Sequence, residues 1–304
     1  MKAIVTGADG FIGSTLVNDL LSHQIPVLGM DLRKNPQRLI LNNPLLRYLS
    51  LPLQQIEDLS SSVSIGSYDV FYHFAWRGSG GEERGDVDIQ LENVSLAVRA
   101  LKEAALLGCK KFVFVSSVVE LEANGLAYAD DVKPDSHYIY GGAKSACHTL
   151  LKPLANKLGI DLVWTNIVGV YGIGDTTPNF VNSILKKLDS KAPLQFTEGR
   201  QYFDFVYIDD VAEAFRLLGE KGKPNKAYVI GSGHPKPIRS FVEEILAALS
   251  SKKIADFGAI PYFGQYLPKN IFDIQKLSLD CGYQPKVDFC EGVKRTYDWL
   301  KNNK

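Results

Sequence analysis

Tyr140 and Lys144 are the residues of this sequence best suited, by type and spacing, to proton transfer. They stand four positions apart in the segment Tyr-Gly-Gly-Ala-Lys, so on a helix their side chains share one face. A neighbouring ammonium lowers the pKa of a phenol from its usual value of about 10, and such a phenol can act as a general acid or base. The alternative is an ordinary pair on a surface helix.

Two serines could complete such a site. Ser116 and Ser117 follow the apolar segment 111–115, and Ser117 precedes Tyr140 by 23 residues. A hydroxyl at the carboxyl end of a strand can hold the substrate oxygen that gains or loses the proton. The alternative is that the two serines only terminate the strand.

A glycine-rich turn near the amino terminus predicts a phosphate site. Gly7, Gly10 and Gly13 lie between a strand at residues 3–5 and an amphipathic helix at 11–21. Glycines at these spacings allow a sharp turn and a close approach to a pyrophosphate, which the positive end of the helix attracts. We therefore predict a dinucleotide cofactor.

Asp31 bears on which dinucleotide is bound. It closes the second predicted strand, 18 residues after Gly13, close to the spacing of about 20 residues expected for a ribose-binding acid. A carboxylate there accepts from the adenosine 2′-hydroxyl and repels a 2′-phosphate, which favours NAD. Arg33 and Lys34 follow at once and could receive a phosphate, so NADP stays open.

The elements that would position these residues alternate along the first half of the chain. Strands are predicted at 26–30, 45–49, 68–75, 111–115 and 161–165, with helices at 86–107 and 138–158. Short apolar strands separated by helices indicate a parallel sheet covered on both faces. We expect an α/β fold: a Rossmann-type, doubly wound parallel sheet over residues 1–172 and a smaller C-terminal α/β substrate lobe over 173–304, with some interleaving of chain segments.

Composition excludes several classes of function. Lys and Arg together number 34, as do Asp and Glu, so no excess positive charge favours a nucleic-acid partner. No segment of 18 or more apolar residues could span a bilayer. The cysteines Cys109, Cys147, Cys281 and Cys290 form no metal-binding pattern and suit a reducing compartment. We expect a cytoplasmic enzyme with no metal, no membrane and no nucleic-acid partner.

The glycine turn, the serine and the Tyr-Lys pair, in this order, resemble the extended short-chain dehydrogenase/reductase family (the NAD-dependent epimerase/dehydratase family), whose members modify nucleotide sugars. The resemblance extends over most of the chain. Further segments that carry it are HFAW at 73–76, VYG at 170–172, FDFVYIDDVAEAF at 203–215 and GYQPKVDFCEGV at 282–293.

The resemblance implies roles for individual residues. Catalysis falls to Ser117, Tyr140 and Lys144. The cofactor-binding residues it implies are Gly7, Gly10, Phe11, Ile12, Gly13, Asp31, Leu32, Arg33, Phe74, Ala75, Trp76, Asn93, Val115, Tyr140 and Lys144. The substrate-binding residues it implies are Trp76, Ser117, Asn179, Phe180 and Arg200.

Departures from the family pattern narrow the reaction. Val118 and Val119 replace the Asp-Glu pair of the dehydratases, so dehydration is not expected. Cys109 and His148 are unsuitable as the extra acid and base of a C3/C5 epimerase, and His148 is expected to be an ordinary packed or surface residue. What remains is hydride transfer at one sugar carbon.

Other departures concern the diphosphate. The usual arginine before Asp204 is Phe203, and the family's Arg and Asn before VYG are Asn166 and Gly169. Arg200 and Lys269 are the nearest residues that could replace the missing diphosphate-binding arginine.

FGAIPY at 257–262, and HFAW followed by a glycine-rich stretch at 78–85, are similar to family members that reduce 4-keto-6-deoxyhexoses linked to a nucleotide. The resemblance therefore implies an NDP-4-keto-6-deoxyhexose 4-reductase. Two alternatives stay open: an NDP-hexose 4-epimerase with tightly bound NAD, and a non-catalytic NAD(P) sensor on the same fold.

The family often forms homodimers through two long helices of each subunit, and here these would be 86–107 and 138–158. The small-residue surface of the first could serve this contact, or it could face the sheet instead. That surface comprises Ala97, Ala100, Leu101, Ala104 and Ala105.

Overall fold

The computed structural model describes residues 1–130, 132–262, 264 and 266–303. The strands are β1 (Ala3–Thr6), β2 (Val27–Asp31), β3 (Leu46–Ser50), β4 (Val70–His73), β5 (Lys111–Ser117), β6 (Asp161–Ile167), β7 (Gly169–Tyr171), β8 (Leu194–Phe196), β9 (Tyr202–Phe203), β10 (Phe205–Tyr207), β11 (Lys226–Ile230), β12 (Lys236–Pro237) and β13 (Ala255–Phe257). The helices are α1 (Phe11–Ser22), α2 (Leu59–Ser62), α3 (Val87–Leu106), α4 (Val118–Ala127), α5 (Tyr138–Leu158), α6 (Phe180–Leu188), α7 (Ile208–Lys221), α8 (Ile238–Ala248), α9 (Gln275–Cys281) and α10 (Phe289–Asn302).

The central sheet has the strand order β11-β6-β5-β4-β1-β2-β3, and each neighbouring pair is parallel. The apolar residues of β1 and β4 are buried, as expected for strands covered on both faces. The order reverses between β1 and β4, and such a reversal leaves a crevice outside the carboxyl ends of the strands. The predicted Rossmann-type sheet is confirmed.

Two helical layers cover the sheet. Helices α1 and α7 pack on one face, in the core that contains Val5, Val17 and Phe215. Helices α3 and α5 pack on the other face, against Phe71 and Phe112. Because short parallel strands need helical crossovers, this arrangement follows from the alternating pattern in the sequence.

The small-residue surface of α3 faces the sheet. Ala97, Ala100, Leu101 and Ala104 are fully buried, and Ala105 packs against the same core. The alternative in which these residues form a subunit contact is therefore wrong, because their small side chains let α3 approach the large aromatic side chains of the sheet.

The later part of the chain builds a smaller layer beside the carboxyl edge of the sheet. There β7 pairs with β10, β8 with β13 and β9 with β12, and α6, α8 and α10 enclose an apolar core with them. Strand β11 returns to the central sheet beside β6. Asp204 is buried and accepts hydrogen bonds from the backbone N–H groups of Ser232 (2.8 Å) and Gly233 (3.0 Å), which fixes β10 to the end of β11. Among the described residues, no helix combines the length and the apolar character needed to cross a membrane.

Candidate active site

A cleft of about 600 Å³ opens at the carboxyl edge of the sheet. It is lined by most of the residues that the sequence singles out, which are Gly7, Gly10, Phe11, Ile12, Gly13, Asp31, Leu32, Phe74, Ala75, Trp76, Asn93, Val115, Ser117, Tyr140, Lys144 and Asn179. Elements far apart in the chain thus meet at one site, as the parallel topology requires. Arg33, Phe180 and Arg200 do not line the cleft. Within the described residues, no cluster of His, Cys, Asp and Glu could hold a metal ion.

The glycine turn fits a dinucleotide. Gly7 has φ +69°, and a Cβ there would lie 2.9 Å from the backbone nitrogen of Ala75. A Cβ on Gly13 would lie 2.1 Å from the carbonyl oxygen of Gly7, so only glycine lets α1 begin this close to β1. Gly10 precedes α1 without a side-chain cap, which leaves backbone N–H groups at the helix end to bind phosphate.

Asp31 lies at the end of β2, on the cleft. Its carboxylate accepts hydrogen bonds from the backbone N–H groups of Asp9 (3.1 Å) and Arg33 (3.3 Å). The Arg33 guanidinium donates to buried Asp9 at 2.8 Å, which turns it away from the cleft. Asp9, which the sequence analysis did not single out, also accepts from the backbone N–H of Gln37 and so fixes the segment after β2.

Lys144 is buried beside Tyr140 but does not point at it. Its ammonium donates to the carbonyl oxygen of Val115 at 2.8 Å and lies 3.4 Å from the Trp76 ring centroid. The distance from this nitrogen to the Tyr140 ring centroid is 5.6 Å. Burial lowers the pKa of Lys144 to about 7, since water no longer solvates the charged form.

The expected lowering of the tyrosine pKa by Lys144 is wrong for this structure. Burial raises the pKa of Tyr140 to about 12, and the positive charge that opposes this rise is Arg84. The Arg84 guanidinium carbon lies 4.4 Å from the Tyr140 ring centroid. Sequence reasoning missed Arg84, and its only signal was a place in the glycine-rich stretch between β4 and α3.

The two serines at the end of β5 have different surroundings. The Ser117 hydroxyl accepts a hydrogen bond from the backbone N–H of Val119 at 3.3 Å, so Ser117 caps α4 and lines the cleft. The Ser116 hydroxyl donates to the carboxylate of buried Glu120 at 2.5 Å. Both serines line the cleft, but only the Ser116 hydroxyl is bound to the buried carboxylate of Glu120.

Glu120 is the centre of a buried polar cluster behind the cleft. It accepts hydrogen bonds from the Trp164 indole (2.9 Å) and the Asn166 amide (3.0 Å), and His148 Nδ1 lies 2.9 Å from its second oxygen. The His148 ring also stacks on Trp164. His148 is therefore a packed residue.

The expected substrate residues divide into two groups. Trp76 and Asn179 line the cleft, where the Trp76 indole donates to Gln90 at 2.9 Å and Asn179 caps α6. Phe180 instead stacks on Phe205, inside the smaller core. Arg200 is 74% exposed and pairs with Glu198 at 2.8 Å, away from the cleft. The roles predicted for Phe180 and Arg200 are not supported, because one is held by aromatic packing and the other by a surface ion pair.

Lys269 also lies outside the cleft lining. Its ammonium lies 6.0 Å from the Tyr202 ring. Neither of the two cations suggested as a replacement for the missing diphosphate-binding arginine therefore reaches the cleft.

A glycine turn at a helix terminus, opposite a buried tyrosine and lysine on a Rossmann-type sheet, defines a dinucleotide-dependent enzyme of the extended short-chain dehydrogenase/reductase type. The sequence model of the NAD dependent epimerase/dehydratase family matches residues 3–231. The chain belongs to this family.

Similar proteins include both reductases and epimerases. The chain is 26% identical to the dTDP-4-dehydro-6-deoxyglucose reductase of Escherichia coli, over 96% of this chain and 95% of that protein. It is 27% identical to a putative UDP-glucose 4-epimerase of Methanocaldococcus jannaschii, over 99% and 98%. The structure of UDP-glucuronic acid 4-epimerase from Bacillus cereus, in complex with UDP-glucuronic acid and NAD, shares the fold with a TM-score of 0.81 at 24% identity, with full coverage of both chains.

Proposed function

We propose that this protein is an NAD-dependent nucleotide-sugar oxidoreductase that reduces the 4-keto group of an NDP-4-keto-6-deoxyhexose. The observation that carries the proposal is that Tyr140, Lys144 and Ser117 line the same cleft as the glycine turn. The similarity to a dTDP-4-dehydro-6-deoxyglucose reductase supports the substrate class.

The side chains of the cleft suit the proton transfer of a reduction. Bound NADH supplies the hydride. The Tyr140 hydroxyl donates a proton to the carbonyl oxygen at C4, and the Ser117 hydroxyl orients that oxygen. Because the pKa of Tyr140 is raised to about 12, the phenol is protonated at neutral pH, which is the form that reduction requires. Val118 and Val119 offer no acid or base for dehydration.

The alternative function is that of an NDP-hexose 4-epimerase. The similarity to a putative UDP-glucose 4-epimerase supports this alternative. An epimerase uses the same residues twice, and Tyr140 must first accept a proton from the C4 hydroxyl.

We propose NAD rather than NADP as the cofactor. Asp31 places a carboxylate on the cleft at the end of β2, and Arg33 is held by the buried carboxylate of Asp9. A 2′-phosphate would therefore meet a negative charge, and the nearest arginine is engaged elsewhere.

We also propose that the smaller layer formed by residues 173–304, apart from β11, binds the nucleotide sugar.

A homodimer in the cytoplasm stays a prediction. Exposed apolar side chains on the outer faces of α3 and α5, namely Val87, Leu91 and Leu150, support pairing through these helices, and light scattering that finds only a monomer at micromolar concentration would contradict it.

Cofactor stoichiometry tests the proposed function. The purified chain is incubated with a panel of NDP-4-keto-6-deoxyhexoses and NDP-hexoses, each with NADH and with NADPH. We expect consumption of NADH equal to the amount of 4-keto sugar reduced. Formation of a 4-epimer with no net NADH consumption would instead establish the epimerase, and failure of every substrate would overturn the proposal.

A further inference from the structure

Arg84 is the cation nearest to the ring centroid of Tyr140 in the described part of the chain. Its guanidinium carbon lies 4.4 Å from the Tyr140 ring centroid, whereas the Lys144 ammonium is 5.6 Å from it. Trp76 meets the same ring edge-on at 6.1 Å. A guanidinium over an aromatic face is attracted by the ring electrons, and it also stabilises negative charge that develops on the phenol oxygen.

The segment that carries Arg84 is held in place by one buried amide. The Gln90 side chain, which is 1% exposed, donates to the carbonyl oxygens of Gly78 (2.9 Å) and Glu83 (3.1 Å). It also accepts from the Trp76 indole. Arg84 therefore directly follows Glu83, whose carbonyl group is bound by Gln90. The Arg84 guanidinium also donates to the carbonyl oxygen of Ser79 at 2.9 Å. These contacts fix the direction of the side chain before any ligand binds.

We infer that Arg84 is a positioning residue for the proposed proton transfer: its guanidinium, held over the Tyr140 ring, stabilises the phenolate that remains when the proton moves to the sugar oxygen. The inference rests on the proposed function, since it gives the proposed proton donor a second cation in addition to Lys144. Lys144 is turned toward Trp76 and Val115, and burial makes its ammonium easier to neutralise.

Among the described residues, three charged or titratable groups act on Tyr140 from nearby elements. Arg84 comes from the segment before α3, Glu120 from α4 and Lys144 from α5 itself. Arg84 lowers the pKa of Tyr140, whereas burial and the negative charge of Glu120 raise it. Removal of the Arg84 charge should therefore shift the titration of Tyr140 to higher pH, in free and cofactor-bound protein.

The test measures the Tyr140 titration directly. The full chain is labelled with ring ¹³C-tyrosine, and its NMR signals are followed from neutral pH to the alkaline limit at which circular dichroism shows an intact fold. Tyr140→Phe identifies the Tyr140 signal. The variants are Arg84→Gln, Arg84→Lys and, as a control with the same change of charge, Lys102→Gln on the exposed face of α3. Arg84→Met replaces Arg84→Gln if the latter does not fold.

We expect the Arg84→Gln signal to begin its shift about one pH unit above that of the wild type, because a unit charge a few ångströms away has an effect of this order. Arg84→Lys should lie near the wild type, and Lys102→Gln should coincide with it. In the oxidative direction, where Tyr140 accepts the proton, the pH–rate profile of Arg84→Gln should be displaced to higher pH by the same amount.

Coincident Tyr140 titrations in the wild type and Arg84→Gln would overturn the inference. The proposed function fails separately, if Tyr140→Phe retains full turnover.

Discussion

The ammonium of Lys144 lies against the face of Trp76, 3.4 Å from the ring centroid. The same nitrogen donates to the Val115 carbonyl oxygen, and the Phe114 ring centroid lies 4.9 Å away. An aromatic face attracts a cation, but the loss of water around it penalises the charge more. Burial thus lowers the pKa of Lys144 to about 7, so the charge of this residue depends on the aromatic cover that Trp76 provides.

Replacement of Trp76 by alanine should raise the pKa of Lys144 from about 7 toward the ordinary value of 10.5, because water then reaches the ammonium. The pH dependence of amine acylation at Lys144, quantified by mass spectrometry, measures this shift. Trp299→Ala, on α10 and remote from the cleft, is the control. A Lys144 pKa that is unchanged in Trp76→Ala would refute this explanation.

Replacement of Asp31 by asparagine should weaken NAD binding by about tenfold or more. A change of this size corresponds to the free energy that one hydrogen bond to a charged group contributes. NADP binding should improve, because the repulsion of its 2′-phosphate is gone. Calorimetric dissociation constants for both cofactors measure the change. Lys102→Ala, at an exposed site on α3 outside the cleft lining, should alter neither constant. An unchanged ratio of the two affinities in Asp31→Asn would show that this carboxylate does not select the cofactor.

Two adjacent glycines of α5 should respond to alanine in opposite ways. A Cβ on Gly141 would lie 2.6 Å from the Val119 carbonyl oxygen and 2.7 Å from the Ala123 Cβ, whereas a Cβ on Gly142 meets nothing within 4 Å. Gly141→Ala should lower the free energy of unfolding by about 1–3 kcal/mol and reduce turnover, because it pushes α5 and Tyr140 away from α4. Gly142→Ala should stabilise the helix by about 0.5–1 kcal/mol. Urea denaturation distinguishes the two, and equal stabilities would show that α4 and α5 are not in this close contact.

The buried Glu120 should make stability depend on pH. Burial raises the pKa of Glu120, but hydrogen bonds from His148, Ser116 and Trp164 outweigh burial and hold the pKa below its ordinary 4.5. A carboxylate with a depressed pKa stabilises the fold above its unfolded-state pKa and loses this contribution as the pH falls through the folded value.

At neutral pH, Glu120→Gln should therefore lower the free energy of unfolding by about 1.5–3 kcal/mol, and the difference from the wild type should shrink below about pH 4.5. Urea midpoints over this pH range measure the effect. Glu243→Gln, at an exposed site on α8, should show no such dependence. If the difference in the free energy of unfolding between Glu120→Gln and the wild type stays constant below about pH 4.5, the charge of Glu120 does not stabilise the cluster.

Local sequence patterns predict most of this fold and only part of its site. The strands, α1, α3 and α5 follow from apolar periodicity and glycine stops, and the turn at Gly7 requires glycine whatever surrounds it. The direction of a long side chain does not follow from spacing. Tyr140 and Lys144 share a helix face as predicted, yet Lys144 turns to Trp76 because a residue 68 positions earlier in the chain provides an aromatic face there. Arg84 reaches Tyr140 through a loop conformation set by Gln90, and no local pattern encodes that contact.

The most direct test of the account is the turnover of Tyr140→Phe with NADH and an NDP-4-keto-6-deoxyhexose. In the described part of the chain the Tyr140 hydroxyl makes no hydrogen bond, so its removal should leave the fold intact, and the variant should still bind NADH. We expect kcat to fall by about 10²–10⁴, the usual contribution of a general acid. A variant that binds NADH and reduces the 4-keto sugar at the wild-type rate would contradict the assignment of Tyr140 as the proton donor.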